Sequence, residues 1–411
     1  MDTTPLVPGD RAWRTAERAR LIGFAERSVV SSGGFAWLDD LGAPDASQPL
    51  HLWINARMTH IFGLEAIHAE SRQARSIAAS GIDALGRLFE DRRHGGWYEA
   101  VAPDGTPVEA SKAAYGHAFV VLAAATGTAA GIPGARDLLG RALDVVQRRF
   151  WEPATGTVRE RYLGADWRGE EPYRGANANM HTVEALLTAA AALGDRSLAR
   201  DALRIAERVV DGPARQAGWR VVEHFDREWR PVLDFGAEDP GDHFRPYGLT
   251  IGHWLEWSRL LLAIDAALDE PPAWLAEGAA ALFANGYGLG WPEPTSIGCP
   301  YTVDWDNRPV VEARLFWVTA EGILAADALA RRTGSGRARD AASRLWAEVD
   351  RYFCDREAGG WHSELAPDGT PASSVWSGKP DSYHAYQACL FPDLPVGLGL
   401  RPGDTSTSRK S

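Results

Sequence analysis

Cysteine is scarce in this chain: Cys299, Cys354 and Cys389 are the three in 411 residues. Three scattered thiols make neither a disulfide framework nor a zinc-ligand spacing, and they fit a reducing compartment. Basic charge is short as well. Lys and Arg total 43 against 55 Asp and Glu, a net charge of −12, which gives no electrostatic footing on nucleic acid or an anionic membrane. No apolar run reaches the roughly 18 residues that a membrane span needs. The opening residues, MDTTPLVPGDRAWRTAERARLIGF, lack the basic start and apolar block of a secretory leader. A cytoplasmic location, without membrane or nucleic-acid partners, is therefore expected. Also missing are a His-Glu-x-x-His zinc box and a glycine loop able to cradle phosphate, so neither metal nor cofactor is expected.

What the chain has in surplus is Trp, 17 residues. Indole rings pack cores, but a surplus also suits a pocket in which flat rings stack on the C–H faces of a sugar. The chain also repeats itself. Residues 95–107 read GGWYEAVAPDGTP and residues 359–371 read GGWHSELAPDGTP. Each follows a helical run ending in Phe-x-Asp, at Phe89 and Phe353. Each precedes a Lys and then His-Ala-aromatic, Lys112 to His117 and Lys379 to His384. The Asp-Gly step between short aromatic and β-branched runs signals a hairpin. The unit is outer helix, β-hairpin loop, inner helix.

Weaker copies keep that order. Runs at 135–149, 196–211 and 270–285 read as outer helices, and each is followed by a Trp, a loop and a new helix. The first inner helix begins near Trp53, with a helix over about 10–29 as its outer partner. Six inner helices result. Their equivalent positions are Arg57, His117, His181, His253, Trp317 and His384, spaced 60–72 residues apart. A hairpin of this size cannot bury its apolar face alone, so neighbours must stack. The inner runs, such as AFVVLAAATG, are apolar nearly all round, as doubly covered helices should be. No linker-like stretch separates the copies. The expected fold is an all-α, closed (α/α)6 barrel. It forms one domain over 1–400, with short β-hairpins at the active-site end and a disordered tail over 401–411.

In a closed ring, equivalent positions face one axis. Four of the six are His, drawn from only 11 in the chain. Moving a proton from a carbon next to a carbonyl needs a base with a pKa near neutrality, and opening a sugar ring needs an acid and a base. The resulting enediolate needs hydrogen-bond donors or positive charge at its oxygens. Several His with one Arg supply these parts, and Trp53 and Trp317 could stack on the sugar. Two helices carry His-x-x-Glu, His181/Glu184 and His253/Glu256, which places both groups on one face. Each carboxylate reads either as an imidazole partner or as an ordinary helix salt bridge. A zinc or iron site is the remaining reading of these pairs.

The segments Leu52–His60 (LWINARMTH), Arg174–Ala185 (RGANANMHTVEA), Gly248–Trp257 (GLTIGHWLEW) and Tyr383–Gln387 (YHAYQ) resemble the N-acylglucosamine 2-epimerase superfamily. They are most similar to its mannose isomerase and sulfoquinovose isomerase branch. The resemblance spans nearly the whole chain. It implies the same barrel, no required metal, and a monosaccharide substrate. It implies that His384 is the base that shuttles the proton at C2, and that His253 assists ring opening. Arg57, Asn177 and His181 would hold the oxygens near C1 and C2. Glu256 would support His253, and Trp53 and Trp317 would line the pocket.

The function expected is interconversion of D-mannose and D-fructose, or of related aldoses such as lyxose, through an enediol. The alternatives are a mannose/glucose 2-epimerase, a sulfoquinovose isomerase, and a glycoside hydrolase on the same barrel; a non-catalytic sugar-binding protein belongs to another class. Secondary site candidates are His117, Tyr115, Glu184 and Arg245. His117 reads equally as a structural hydrogen-bonding group, and Arg245 as a helix-start residue. Lys112 is open in the same way. Lys379 is a lid candidate, and Asp304 and Asp306 sit on a loop able to cap the pocket. His51, His60, His68, His94, His224, His243 and His362 read as loop, packing or surface residues. The sequence leaves a monomer and a homo-oligomer equally open.

Overall fold

The computed structural model describes residues 6–400; the expected tail over 401–411 lies outside them. Among the described residues, twelve α-helices form two concentric layers. The outer layer holds α1 (Arg11–Ala25), α3 (Arg72–Ala84), α5 (Ala135–Val145), α7 (Arg196–Ala206), α9 (Trp274–Gly290) and α11 (Gly336–Glu348). The inner layer holds α2 (Leu52–His68), α4 (Ala114–Ala129), α6 (Ala176–Leu193), α8 (Ile251–Ala267), α10 (Phe316–Thr333) and α12 (Tyr383–Leu390). Each inner helix packs on the next around the ring, and α12 returns to α2. The (α/α)6 barrel is therefore closed.

The two layers are built differently. Inner helices are covered on every side, and in α2 every residue from Leu52 to Ala66 is buried. Outer helices are amphipathic, with solvent on one face. Four of them start on a side-chain cap. Asp10, Ser71, Asp195 and Ser335 accept hydrogen bonds from first-turn backbone N–H groups. The inner helices start with no side-chain cap, and all but α12 start directly from extended chain. Inner helices turn back into outer ones through tight connections, with glycines in the left-handed region, Gly194 (φ 70°) and Gly334 (φ 72°), closing α6 and α10.

The N-terminal helix packs on the last inner helix, not chiefly on the first as the repeat order implies. It also bonds to the chain around α11, through Trp13 Nε1 to Asp350 and the Glu17 carboxylate to Trp361. The Arg18–Glu65 ion pair ties it to α2. In this way the first helix closes the seam left by the last.

The repeated GGW…APDGTP segments form hairpins as their Asp-Gly steps indicate. Ala100–Val101 pairs antiparallel with Pro107–Glu109, and Leu365 bridges Pro371. The paired lysines are structural. Lys112 is buried 3.0 Å from Asp91, and Lys379 is buried on Asp355. Lys379 is thus committed to an ion pair and is no lid group. All hairpin loops lie at the N-terminal ends of the inner helices. There a four-stranded sheet joins Leu249–Thr250, Pro300–Val303, Pro309–Leu315 and Glu364–Leu365. The Asp304 side chain closes a turn on the backbone of Asp306 and Arg308.

Among the described residues no helix is long and apolar enough to cross a membrane.

Candidate active site

Uncapped helix starts converge on one pocket. It holds about 650 Å³, mouth included. The inner helices approach it in a common phase. Their second and sixth residues face the axis: Trp53 and Arg57, Tyr115 and Phe119, Asn177 and His181, Trp317 and Glu321. Helix α8 presents its third and sixth, His253 and Glu256, and α12 its second, His384. Because each pair is three or four residues apart, the two side chains stack on one face, one turn below the other. The partial positive charge of several helix N-termini also points into this space, an arrangement that favours negative charge developing there.

All eight residues expected to act on or bind the substrate line this pocket: Trp53, Arg57, Asn177, His181, His253, Glu256, Trp317 and His384. Tyr115 does too. His117, Glu184 and Arg245 do not.

His117 is the misplaced member of the column. Its Nδ1 donates to the Ala113 carbonyl at 2.7 Å and its Nε2 accepts from the Trp97 backbone N–H at 3.1 Å. Burial drives its pKa down to about 3, so the ring is neutral and both nitrogens are spent on the wall. The repeat misleads because equal spacing from the lysine does not give equal helix phase. Helix α4 starts two residues after Lys112, whereas Pro380, Asp381 and Ser382 delay α12 until the fourth residue after Lys379. His117 is then the fourth residue of its helix and His384 the second, a difference of about 200° around the axis.

Glu184 lies just beneath the pocket, and Arg245 beside it. Arg245 makes a two-pronged pair with Glu171 at 2.7 and 2.8 Å and lies over the Tyr173 ring.

Two imidazoles are oriented alike. His384 Nδ1 sits 2.8 Å from Glu321 Oε1, and His253 Nδ1 sits 2.9 Å from Glu223 Oε2. A carboxylate can only accept, so Nδ1 carries the hydrogen in both rings. Nε2 of each, with no protein hydrogen-bond partner among the described residues, is left for the pocket. The Trp317 ring lies against both, 5.5 Å from His253 and 5.7 Å from His384. It reaches there because residue 252 is Gly: a Cβ at that position would meet the indole at 2.5 Å. Burial lowers the pKa of His384, with Glu321 pulling it partly back. The ring is neutral at pH 7 and able to accept a proton. Glu256 is not the carboxylate that supports His253, contrary to expectation. Glu223, from the chain before α8, does that work.

Below the pocket floor one guanidinium holds three carboxylates. Arg259 donates to Glu321 at 2.8 Å, and to Glu184 and Glu256 at 3.4 Å. Burial works to raise Glu184, but His181, Arg259 and the Tyr383 hydroxyl hold it below the usual carboxylate range. Burial likewise opposes ionisation of Glu321, and Arg259 and His384 overcome it. Glu256 goes the other way, pushed well up by burial and by the charge of Glu321. His181 Nδ1 lies 3.4 Å from Glu184 and 3.7 Å from Glu256, and burial brings its pKa down to about 4. His181, Glu184 and Glu256 bring metal-type donor atoms within 4.8 Å of one another. A cation there would lie against the Arg259 guanidinium, which already pairs with Glu184, while burial favours the neutral form of Glu256, so the donor set fits a hydrogen-bonded ion-pair network better than a metal.

Arg57 spans the opposite wall. It pairs with Asp381 at 3.2 Å and donates to the Tyr115 hydroxyl at 2.9 Å. Burial raises the Tyr115 phenol to about 12. It therefore stays protonated, accepts from Arg57 and has its own hydrogen to offer. Asn177 Oδ1 is buried without a protein partner on the same pocket.

The mouth is aromatic. His243 stacks on Trp376 at 4.7 Å, and Phe244 meets Trp53 and Trp376 edge-on. Sequence reasoning set His243 aside as a bland residue and missed Phe244, Trp376, Tyr301, Asp381, Glu223 and Glu321. Most of these come from long loops with no periodicity. Glu321 was findable, since it lies one turn beyond Trp317 on the same face.

Fold and site together define a barrel enzyme for acid–base chemistry on a small polyhydroxylated molecule. The chain belongs to the N-acylglucosamine 2-epimerase (GlcNAc 2-epimerase) family, whose model matches residues 33–388. It is 47% identical over 392 residues to a D-mannose isomerase of Thermobifida fusca, covering 95% of this chain and 96% of that one. It is 41% identical over 397 residues to a D-mannose isomerase of Pseudomonas cannabina pv. alisalensis, covering 96% and 95%. A crystal structure of a D-mannose isomerase superposes with a TM-score of 0.86 at 26% identity, covering 94% of this chain and 98% of that one.

Proposed function

We propose that this chain is an aldose–ketose isomerase that interconverts D-mannose and D-fructose. The observation that carries the reading is the pair of carboxylate-oriented imidazoles, His384 and His253, whose free Nε2 atoms share one pocket. The two relatives above 40% identity, both D-mannose isomerases, support the substrate.

The geometry supports the following steps. His253 exchanges protons with the ring or anomeric oxygen as the sugar opens. Arg57, Asn177, Tyr115 and His181 hold the oxygens at C1 and C2 and balance the charge that builds on them. Neutral His384 removes the proton from C2 and returns it to C1. Trp53 and Trp317 pack on the carbon skeleton. The chemistry needs no metal or organic cofactor. Buried free cysteines fit a reducing, cytoplasmic setting.

Charge decides among the alternatives. Arg57, the cation on the pocket wall, is already paired with Asp381, and Arg245 and Lys379 nearby are committed to Glu171 and Asp355. A sulfonated or phosphorylated sugar would find no spare positive charge among the described residues, which favours neutral mannose over sulfoquinovose. A glycosidase needs one carboxyl as acid and another as base or nucleophile across the bond. Of the two carboxyl groups that line the pocket among the described residues, Asp381 is held by Arg57, which leaves Glu256 with no second carboxyl to work with across a glycosidic bond. The two histidines would also serve 2-epimerisation if the open-chain intermediate turned to present its other face.

NMR of the protein with mannose in D2O tests the reading. Fructose is the expected product. Glucose in its place would make the enzyme an epimerase. No conversion and no C2 exchange with mannose, glucose or sulfoquinovose would overturn the assignment. Replacing His384 by Ala is expected to abolish C2 exchange.

A further inference from the structure

Three carboxylates surround Arg259, but their hydrogen-bond support is unequal. Glu184 accepts from Arg259, Tyr383 and Gln387, and Glu321 from Arg259 Nε and Nη2 and from His384. Glu256 has only the 3.4 Å contact from Arg259 and a 3.7 Å approach to His181, both at Oε1. Its Oε2 has no protein partner among the described residues, and the side chain lines the pocket. It sits one helical turn beyond His253, on the same wall of α8.

We propose that Glu256, in its acid form, is a further catalytic residue that carries protons between O1 and O2 of the open-chain sugar. The inference rests on the isomerase reading. His384 Nε2 takes the proton from C2, and the released electron pair forms the C1–C2 double bond. The carbonyl pair moves to O1, which takes the proton of Glu256 and gives the enediol. The Glu256 carboxylate then accepts the proton of the C2 hydroxyl as the C2 carbonyl forms, and His384 delivers its proton to C1. Both residues end as they began. A carboxyl group suits the task because its two oxygens can give a proton at one site and take one at another.

The surroundings agree. The titratable groups that face Glu256 are Arg57, Tyr115, His181, Glu184, Arg259, Glu321 and Tyr383. Two of the three carboxylates are the better-supported anions, and burial together with their charge keeps the proton on the third.

Glu256→Gln is the decisive variant, because an amide copies the shape and neutrality of the acid form but cannot pass a proton. We expect kcat with mannose to fall about 100-fold, in the range of general acid–base effects, with KM within about threefold and Tm nearly unchanged. A fall of tenfold or more supports the role, and a smaller one overturns it. A purely structural role would instead move KM or Tm. Infrared spectroscopy of the wild type gives a readout independent of folding of the variant. A protonated-carboxyl band must be present at pH 7 and must shift when mannitol binds; its absence overturns the proposal. Wild-type protein inert toward mannose would overturn the isomerase reading itself. An active wild type with an equally active E256Q would overturn only the role of Glu256.

Discussion

Nδ1 of His384 hydrogen-bonds Oε1 of Glu321 at 2.8 Å, and the other Glu321 oxygen receives Arg259 Nε at 2.8 Å. The first contact decides which ring nitrogen meets the substrate, and the second keeps the carboxylate ionised and immobile.

Glu321→Gln should therefore damage chemistry more than binding. An amide can donate to Nδ1, which moves the ring hydrogen to Nε2 and removes the basic lone pair from the pocket. We expect kcat to fall about 100-fold with KM changed severalfold at most. Glu321 raises the proton affinity of His384, so the acid limb of the remaining kcat/KM profile should move to lower pH. Steady-state kinetics across pH read both effects.

The wild-type pH profile should follow His384 on its acid side. His384 acts as a base and must be unprotonated in the free enzyme. Burial holds its pKa below the usual 6.5. Activity should stay flat as pH falls through 6.5 and drop only below it. An acid limb at or above 6.5 would mean that another group controls that side.

His117→Ala should separate stability from catalysis. It strips a partner from the buried Trp97 N–H and from the Ala113 carbonyl. The carbonyl keeps its helical bond, but the orphaned Trp97 N–H costs about 1–3 kcal/mol. Differential scanning calorimetry should show a clear loss of Tm, while kcat per folded molecule stays near that of the wild type.

Gly252→Ala tests how Trp317 is seated. The new Cβ would fall 2.5 Å from the indole, so the ring must tilt away from α8. Trp317 touches both His253 and His384, so KM should rise and kcat should fall together. The intrinsic Trp fluorescence response to mannose should weaken in parallel.

The barrel was legible because its unit repeats, and a repeat states its own period. Arg57, His181, His253 and His384 were legible for the same reason, as polar residues on apolar inner helices. What escaped was tertiary. Glu223 reaches His253 from a segment 30 residues earlier, and nothing in its neighbourhood marks it. Trp376, Phe244 and Asp381 come from loops, where pairing across the mouth is decided in space. His117 shows the limit of the repeat itself. Three residues beginning with Pro380 shift one helix start, and matching sequence columns then point to opposite sides.

The helix starts of the two layers lie at opposite ends of the barrel. At one end Asp10, Ser71, Asp195 and Ser335 close the first turns of outer helices; at the other, inner helices open bare onto the pocket. Robustness and reactivity are thus kept at separate poles of one molecule. Selection for heat resistance can work on caps and turns at the first pole without disturbing proton transfer at the second. The long loops of the second pole can vary to admit new sugars while the fold is held from the far side.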